Sequence, residues 1–508
     1  MRSRCGYTFH VSSNVVRLIM RQLDTLAHAT AGVAPRRRRP EQVITHFYDR
    51  PDGALLKAGW QAYALLNDTG HTYGMRRMRR PSAAWQSWRT WSGETQTAQL
   101  SQTAFAALPE LPGKTQRMLE QCGNLEACLS IEVQRSTWQL PAFEGVEIEV
   151  LLEIGHINTA GHRIDMTELT LIASDRHAQS ALLSLARRLH QTAPLFLQAE
   201  SAVLTALRVL FDTTCSAQKY IAPETAPRCS ASDLSRANLA AIVGHWLSNQ
   251  AGARDSTDIE YVHQFRIALR RLNAACKLFA PWLEPIRQAR LATELRWLRS
   301  LLGGVRDWDV FVETTLPALC SASEFPPHTA AEFKPAFELR DEARNALRTA
   351  LNSTRYATLM LDLLEWLAIM SPQHDGLRSA PRGLRKHAKK SLHKYHLSSA
   401  SIAHFTRLPE AEQHRIRLQA KRMRYSIELL APLLSSKSCK STSRAYAAML
   451  DALGRANDAA VATRLVEQLT LRPETRGYAY GWLAARRQHC IAQVERQLPG
   501  LQVPKLRS

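Results

Sequence analysis

One phrase occurs twice in this chain at a fixed distance. HQFRIALRRL begins at His263, and HRIRLQAKRM begins at His414, 151 residues later. The same offset, without a gap, brings Arg266 onto Arg417, Arg270 onto Lys421 and Arg271 onto Arg422. It aligns Leu278, Ala280, Pro281 and Leu283 with Leu429, Ala431, Pro432 and Leu434. Further on it aligns Leu302-Gly303 with Leu453-Gly454, Asp307 with Asp458, and Val310 with Val461. One register running through separate blocks marks a duplicated unit. It predicts two similar helical bundles facing each other across a pseudo-twofold axis.

Each copy reads as an amphipathic helix with a cationic face. At about 100° per residue, His263, Arg266, Arg270 and Lys277 fall within about 60° of one another. Phe265, Leu269, Leu272, Cys276 and Phe279 take the opposite, core-facing side. His414, Arg417, Lys421 and Arg424 line up in the second copy. Arg296, Arg299 and Arg306 form a third set. Arg382, Arg385, Lys386, Lys389 and His393 form a fourth, and no Asp or Glu occurs between Asp375 and Glu410. Like charges at i,i+4 repel by a few tenths of a kcal/mol per pair. One such face is an ordinary solvated surface. Four of them, two related by duplication, point to a bound polyanion that reverses the sign of that repulsion. Single histidines are usually structural, but recurrence at equivalent positions places His263 and His414 by the ligand.

The charge distribution agrees. Lys and Arg number 66 against 45 Asp and Glu, a net of +21. From Arg228 onward the counts are 42 and 25, leaving 24 and 20 for the first 227 residues. The basic half is helical throughout. The first half mixes strands at 43–50, 146–155 and 166–173 with a helix at 177–190. An α+β domain over 1–212, a linker over 213–232 and an all-α domain over 233–500 follow. The nine cysteines include no C-x-x-C pair, which reads as reduced thiols. No apolar run approaches about 18 residues, so a soluble cytoplasmic protein without a membrane span is expected. PRRRRP (35–40) reads as a solvated loop. Trp85, Trp88 and Trp91 read as a packed helix face or a strand-end cluster rather than a stacking site.

VHQFRIALRRLNAACKLF, LRWLRSLLGGVRDWDVFV, HRIRLQAKRMRYSIELLAPL and LDALGRANDAAV resemble the characteristic blocks of the CHAD domain, in order. The resemblance implies two pseudo-symmetric four-helix bundles with a basic central groove that binds inorganic polyphosphate, often on polyphosphate granules among granule-associated proteins. The matching basic residues are His263, Arg266, Arg270, Arg271, His414, Arg417, Lys421, Arg422 and Arg424, with the helix at 382–394. Asp307, Asp309 and Asp458 also match; as helix-end acids they are expected to orient the repeat arginines. Nucleic acid is the rival polyanion. Its binders usually add aromatic platforms, and here only Tyr425 and Trp297 stand near the basic faces.

ITHFYDRPDGALLKAGWQAYALL, RSTWQL, VEIEVLLEIGHI, TELTLIA and PLFLQAESAVLTAL resemble, in order, the CYTH domain, or triphosphate tunnel. That resemblance implies an antiparallel β-tunnel hydrolysing inorganic triphosphate with Mg²⁺ or Mn²⁺. Carboxylates hold such a hard cation, and the metal then activates the phosphoryl group. The family's E-x-E-x-K signature is absent here: Gly6, Thr8 and His10 stand in its place. Tyr63 and Leu65 replace the paired basic residues, Thr170 the second late acid, and Ala202 the last lysine. Arg76 (or Arg77) and Arg135 remain as residual phosphate ligands, with Glu153 and Glu168 the only metal candidates. A degenerate tunnel and a polyphosphate-binding helical domain are the expectation. A triphosphatase and a nucleic-acid binder are the alternatives.

Overall fold

In a computed structural model the chain is described over residues 2–31, 39–67, 70–78, 85–96, 100–159, 161–175, 177–211, 216–226, 229–322, 329–370, 381–398, 404–497 and 501–507. The side chains of residues 2, 3, 30, 31, 381, 382 and 495–497 are outside that description. The PRRRRP tract therefore lies largely outside it, as does the side chain of Arg382. The chain forms two compact units: 1–216 with 352–369, and 217–351 with 370–508.

The first unit is a closed antiparallel barrel. Its strands are β1 (Arg2–Val11), β2 (Glu41–Asp49), β3 (Trp60–Asn67), β4 (Gly70–Met78), β5 (Gln86–Thr95), β6 (Glu126–Phe143), β7 (Val146–Thr159) and β8 (His162–Ala173). They run in the order β5-β4-β3-β2-β6-β7-β8-β1, and β1 closes the ring on β5 through Arg2–Gly6. A short ninth strand, β9 (Leu195–Gln198), pairs with the far end of β1. Closure removes the free edges that a sheet otherwise exposes.

The period of two decides which side chains enter the barrel. On β7, Ile148, Val150 and Leu152 are buried, and Glu149 and Glu153 alternate with them. On β5, Trp88 and Trp91 differ by an odd step and so point to opposite faces. Trp91 packs on Trp60 at 5.4 Å, and Trp88 lies over Arg76. The tryptophans thus belong to a strand and not to a helix. Helix α1 (Val16–Ala31) is tied to the wall by the Trp138 indole, which donates to Asp24 Oδ1 at 2.7 Å.

Five further helices belong to the N-terminal segment: α2 (Ala54–Lys57), α3 (Gln102–Ala106), α4 (Gly113–Gln121), α5 (Gln179–Thr192) and α6 (Ala202–Leu210).

The second unit holds α7 (Ala231–Asp255), α8 (Ile259–Leu278), α9 (Pro285–Val310), α10 (Leu316–Cys320) and α11 (Lys334–Leu351). After α12 (Thr354–Ile369), which belongs to the barrel unit, come α13 (Pro381–Tyr395), α14 (Glu410–Leu429), α15 (Ser436–Val466) and α16 (Pro473–Gln497). The duplication is visible in the boundaries. α8 and α14 begin and end at the 151-residue offset, as do the 3₁₀ turns Ala280–Trp282 and Ala431–Leu433 and the starts of α9 and α15. The helical domain accordingly consists of two similar quartets, α7-α8-α9-α11 and α13-α14-α15-α16. One difference is a π-turn, Phe311–Thr315, where α9 ends and α15 continues as α-helix. A core of Trp308, Phe311, Phe333, Ala459, Ala462, Val466 and Leu483 joins the copies. Residues 216–226, before α7, are not helical, and Gln218 there exchanges two hydrogen bonds with Asn249 of α7, 2.9 and 3.0 Å.

Candidate functional site

The cationic faces of α8 and α14 meet. Where they do, the ends of α9 and α15 complete a cleft of about 370 Å³. His263, Arg266, Arg270 and Arg306 line it from the first copy, and Arg417, Lys421 and Arg424 from the second. Asp307, Asp451, Asn457 and Asp458 also face it.

Each of the two arginines at equivalent positions is held by the helix that follows it, α9 or α15, but through different partners. Arg266 Nη1 donates to the Gly303 carbonyl at 3.2 Å and to Asp307 Oδ1 at 3.4 Å. Arg417 Nη1 donates to Asn457 Oδ1, next to Asp458. Arg306 Nη1 and Arg417 Nε are buried with no hydrogen-bond partner among the described residues. Buried donors normally find an acceptor, and both of these N–H groups belong to arginines that line the cleft.

The electrostatics report a shortage of negative charge. Lys421 is pushed down from 10.5 to about 6, first by burial and then by Arg270, Arg417 and Arg266. Burial, with Arg270 second, brings Arg417 down to about 10. His263 falls to about 4 through burial and Arg306. Burial raises Asp307 and Asp458 despite the neighbouring arginines. A low dielectric magnifies each of these interactions, so an incoming anion has the greatest effect here.

The remaining cations of the sequence reading fall elsewhere. His414, the partner of His263, is exposed and does not line the cleft, and neither does exposed Arg422. Arg271 is buried: it pairs with Glu428 at 2.8 Å and lies 3.9 Å over the Tyr220 ring. Glu428 occupies the position equivalent to Lys277, so the second copy carries an acid where the first has an exposed lysine. Arg296 and Arg299 lie away from the cleft, and Arg296 donates to Thr293 at 3.1 Å. Lys386, Lys389 and His393 are exposed on α13, and Arg385 donates to the Arg507 carbonyl. The sequence reading overlooked Asn457 and Asp451. Asn457 could have been found by the offset, because it aligns with Arg306. Asp309 serves the fold: with its side chain fully buried, it pairs with Arg344 at 2.8 Å rather than with a repeat arginine.

Among the described residues, the barrel interior offers no metal site. Arg135 holds Glu153 at 2.7 Å. Glu168 is buried, accepts the Ala202 amide at 2.6 Å and is pushed up to about 7 by burial. Across β1 and β8, Thr8 faces Thr170 at 3.4 Å. Gly6 stands where the signature has its first glutamate, and a Cβ on it would meet the Leu171 carbonyl at 2.1 Å. β8 therefore occupies the space such a side chain needs. Arg76 lies 5.4 Å from the Tyr63 ring and 5.9 Å from Trp88, and its Nε has no partner among the described residues. Among those residues, no three His, Cys, Asp or Glu side chains are grouped to hold a metal. Mg²⁺ or Mn²⁺ does not fit this interior, and no step is derived through it.

The CHAD domain model matches residues 237–467. The crystal structure of the CHAD domain from the plant Ricinus communis is 30% identical, aligning 100% of its length with 58% of this chain at a TM-score of 0.49. The chain belongs to the CHAD family. The cleft lies within its CHAD domain. The barrel half is similar to a putative adenylate cyclase from Bacillus halodurans, 14% identical over 40% of this chain and 98% of that one, with a TM-score of 0.28. It is also similar to a putative adenylyl cyclase from Hippeastrum described as having a dominant triphosphatase activity, 12% identical over 41% of this chain and 95% of that one, with a TM-score of 0.28. No curated protein matches the chain. No described helix is long and apolar enough to cross a membrane.

Proposed function

We propose that the CHAD domain of this chain binds inorganic polyphosphate in the cleft between its two repeats, and that the protein works by electrostatic capture, with polyphosphate granules as its place of action. The supporting observation is the convergence of His263, Arg266, Arg270, Arg306, Arg417, Lys421 and Arg424 on one cavity whose own acids are too few to neutralise them. Arginine forks suit phosphate oxygens, and lysine adds a point charge. The wall carries Tyr425 and Phe311 but no row of exposed rings on which bases would stack. The barrel serves this reading as a scaffold, its arginines engaged by Glu153 and by aromatic rings.

The test is competition on the full chain. Long-chain polyphosphate, titrated at several salt concentrations, should bind with a steep loss of affinity as salt rises. RNA at equal phosphate concentration should fail to displace it. Displacement by RNA would replace this reading with nucleic-acid binding.

A further inference from the structure

The C-terminal segment 501–507 lies beyond the residues matched by the CHAD model and folds back on the helical domain. Leu506 forms a β-bridge with Leu434. Ser435 N donates to the Lys505 carbonyl at 2.9 Å, Arg507 N to the Leu433 carbonyl at 2.9 Å, and Lys505 N to Ser438 Oγ at 2.9 Å. The Arg507 guanidinium donates to the Leu434 carbonyl at 2.8 Å, and Arg385 of α13 donates to the carbonyl of Arg507. These bonds draw three stretches of chain to one corner: α13, the start of α15 and the terminal strap.

No stretch brings an acid. There is no Asp or Glu in 381–398, 429–450 or 501–508. Lys386, Lys389, Lys437, Lys440 and Lys505 are all exposed there. The corner adjoins the cleft. Helix α14 links the two: its Gln419 donates to the His396 carbonyl, just past α13, at 3.0 Å, and its Arg424 lines the cleft. A terminal tail fastened by backbone bonds beside other cations concentrates positive charge that these three stretches do not themselves relieve, and an extended anion relieves it.

We propose that the strap, α13 and the first turns of α15 form a second phosphate-binding surface, which takes the part of a polyphosphate chain that extends out of the cleft. The inference rests on the cleft reading and adds chain-length discrimination to it. Two linked contacts on one ligand raise affinity through effective concentration without any new contact at either. Only a chain long enough to reach both gains from them.

The experiment titrates the full chain with tripolyphosphate and with long-chain polyphosphate, comparing wild type with a Lys386→Ala, Lys389→Ala, Lys505→Ala variant. All three residues are exposed, and the strap's backbone bonds remain. Long-chain affinity should fall by about tenfold with a shallower salt dependence, while tripolyphosphate affinity stays the same. Unchanged long-chain affinity, or equal loss for both ligands, overturns the second surface. Arg270→Ala serves as the cleft control and should weaken both ligands. If it weakens neither while the strap variant loses long-chain binding, the cleft reading fails and the strap surface stands.

Discussion

Lys421 is the residue where the logic of the cleft is most exposed. Its folded pKa of about 6 lies below its ordinary 10.5, so at neutral pH it gives up its proton on folding. The penalty vanishes well above 10.5, grows as pH falls toward 6, and is constant below that. Replacing Lys421 with methionine should therefore stabilise the free protein by roughly 2 kcal/mol at neutral pH, read as a rise in denaturation midpoint, while weakening polyphosphate binding. A bound anion restores the proton. Calorimetry at neutral pH in buffers of different ionisation enthalpy should show proton uptake on binding. Affinity should fall as pH rises above about 6, by up to about tenfold per pH unit. A Lys421→Arg variant, charged throughout, should lose the uptake. At this scale the sequence identified Arg266, Arg270, Arg417 and Lys421 because their offset and helical spacing agreed. It also named Arg271, whose burial was not legible because it depends on Glu428 and Tyr220, residues far away along the chain.

Among the elements, repeat boundaries were legible because the offset carries capping turns and prolines as well as cations. The π-turn at Phe311–Thr315 was not, since the offset aligns it with residues 462–466, which stay α-helical. Nor was barrel closure, which pairs Arg2–Gly6 with Gln86–Thr90 across most of the domain's first half. The placing of α12 follows the same pattern. Its sequence reads as one more helix of the basic half, yet it packs on α5 and β9 of the barrel unit. Arg187 clamps it, bonding Asp362 at 2.6 Å and Glu365 at 2.9 Å, and His190 bonds Thr358 at 2.9 Å. Arg187→Ala leaves two half-buried carboxylates facing each other. It should cost about 2 kcal/mol and raise amide exchange in 354–369. Exchange in α8 and α14 should stay as in wild type.

At the scale of the whole molecule, charge and chemistry divide between the halves. The net of +21 is concentrated after Arg228, where the duplicated helices turn part of it into the cleft. In the barrel, Gly6, Thr8 and Thr170 occupy positions where the tunnel signature that the sequence resembles has acids, a difference readable residue by residue. Phosphate release from triphosphate with Mg²⁺ or Mn²⁺ should stay at background and be unaffected by Glu153→Ala with Glu168→Ala. The central claim is that two repeats build one site. It is tested by titrating tripolyphosphate into wild type, Arg270→Ala and Lys421→Ala, which alter equivalent positions in the two copies. The account predicts a single site per chain, with each substitution weakening all of the binding by about tenfold. Two sites per chain, one of them keeping full affinity in each variant, would contradict it.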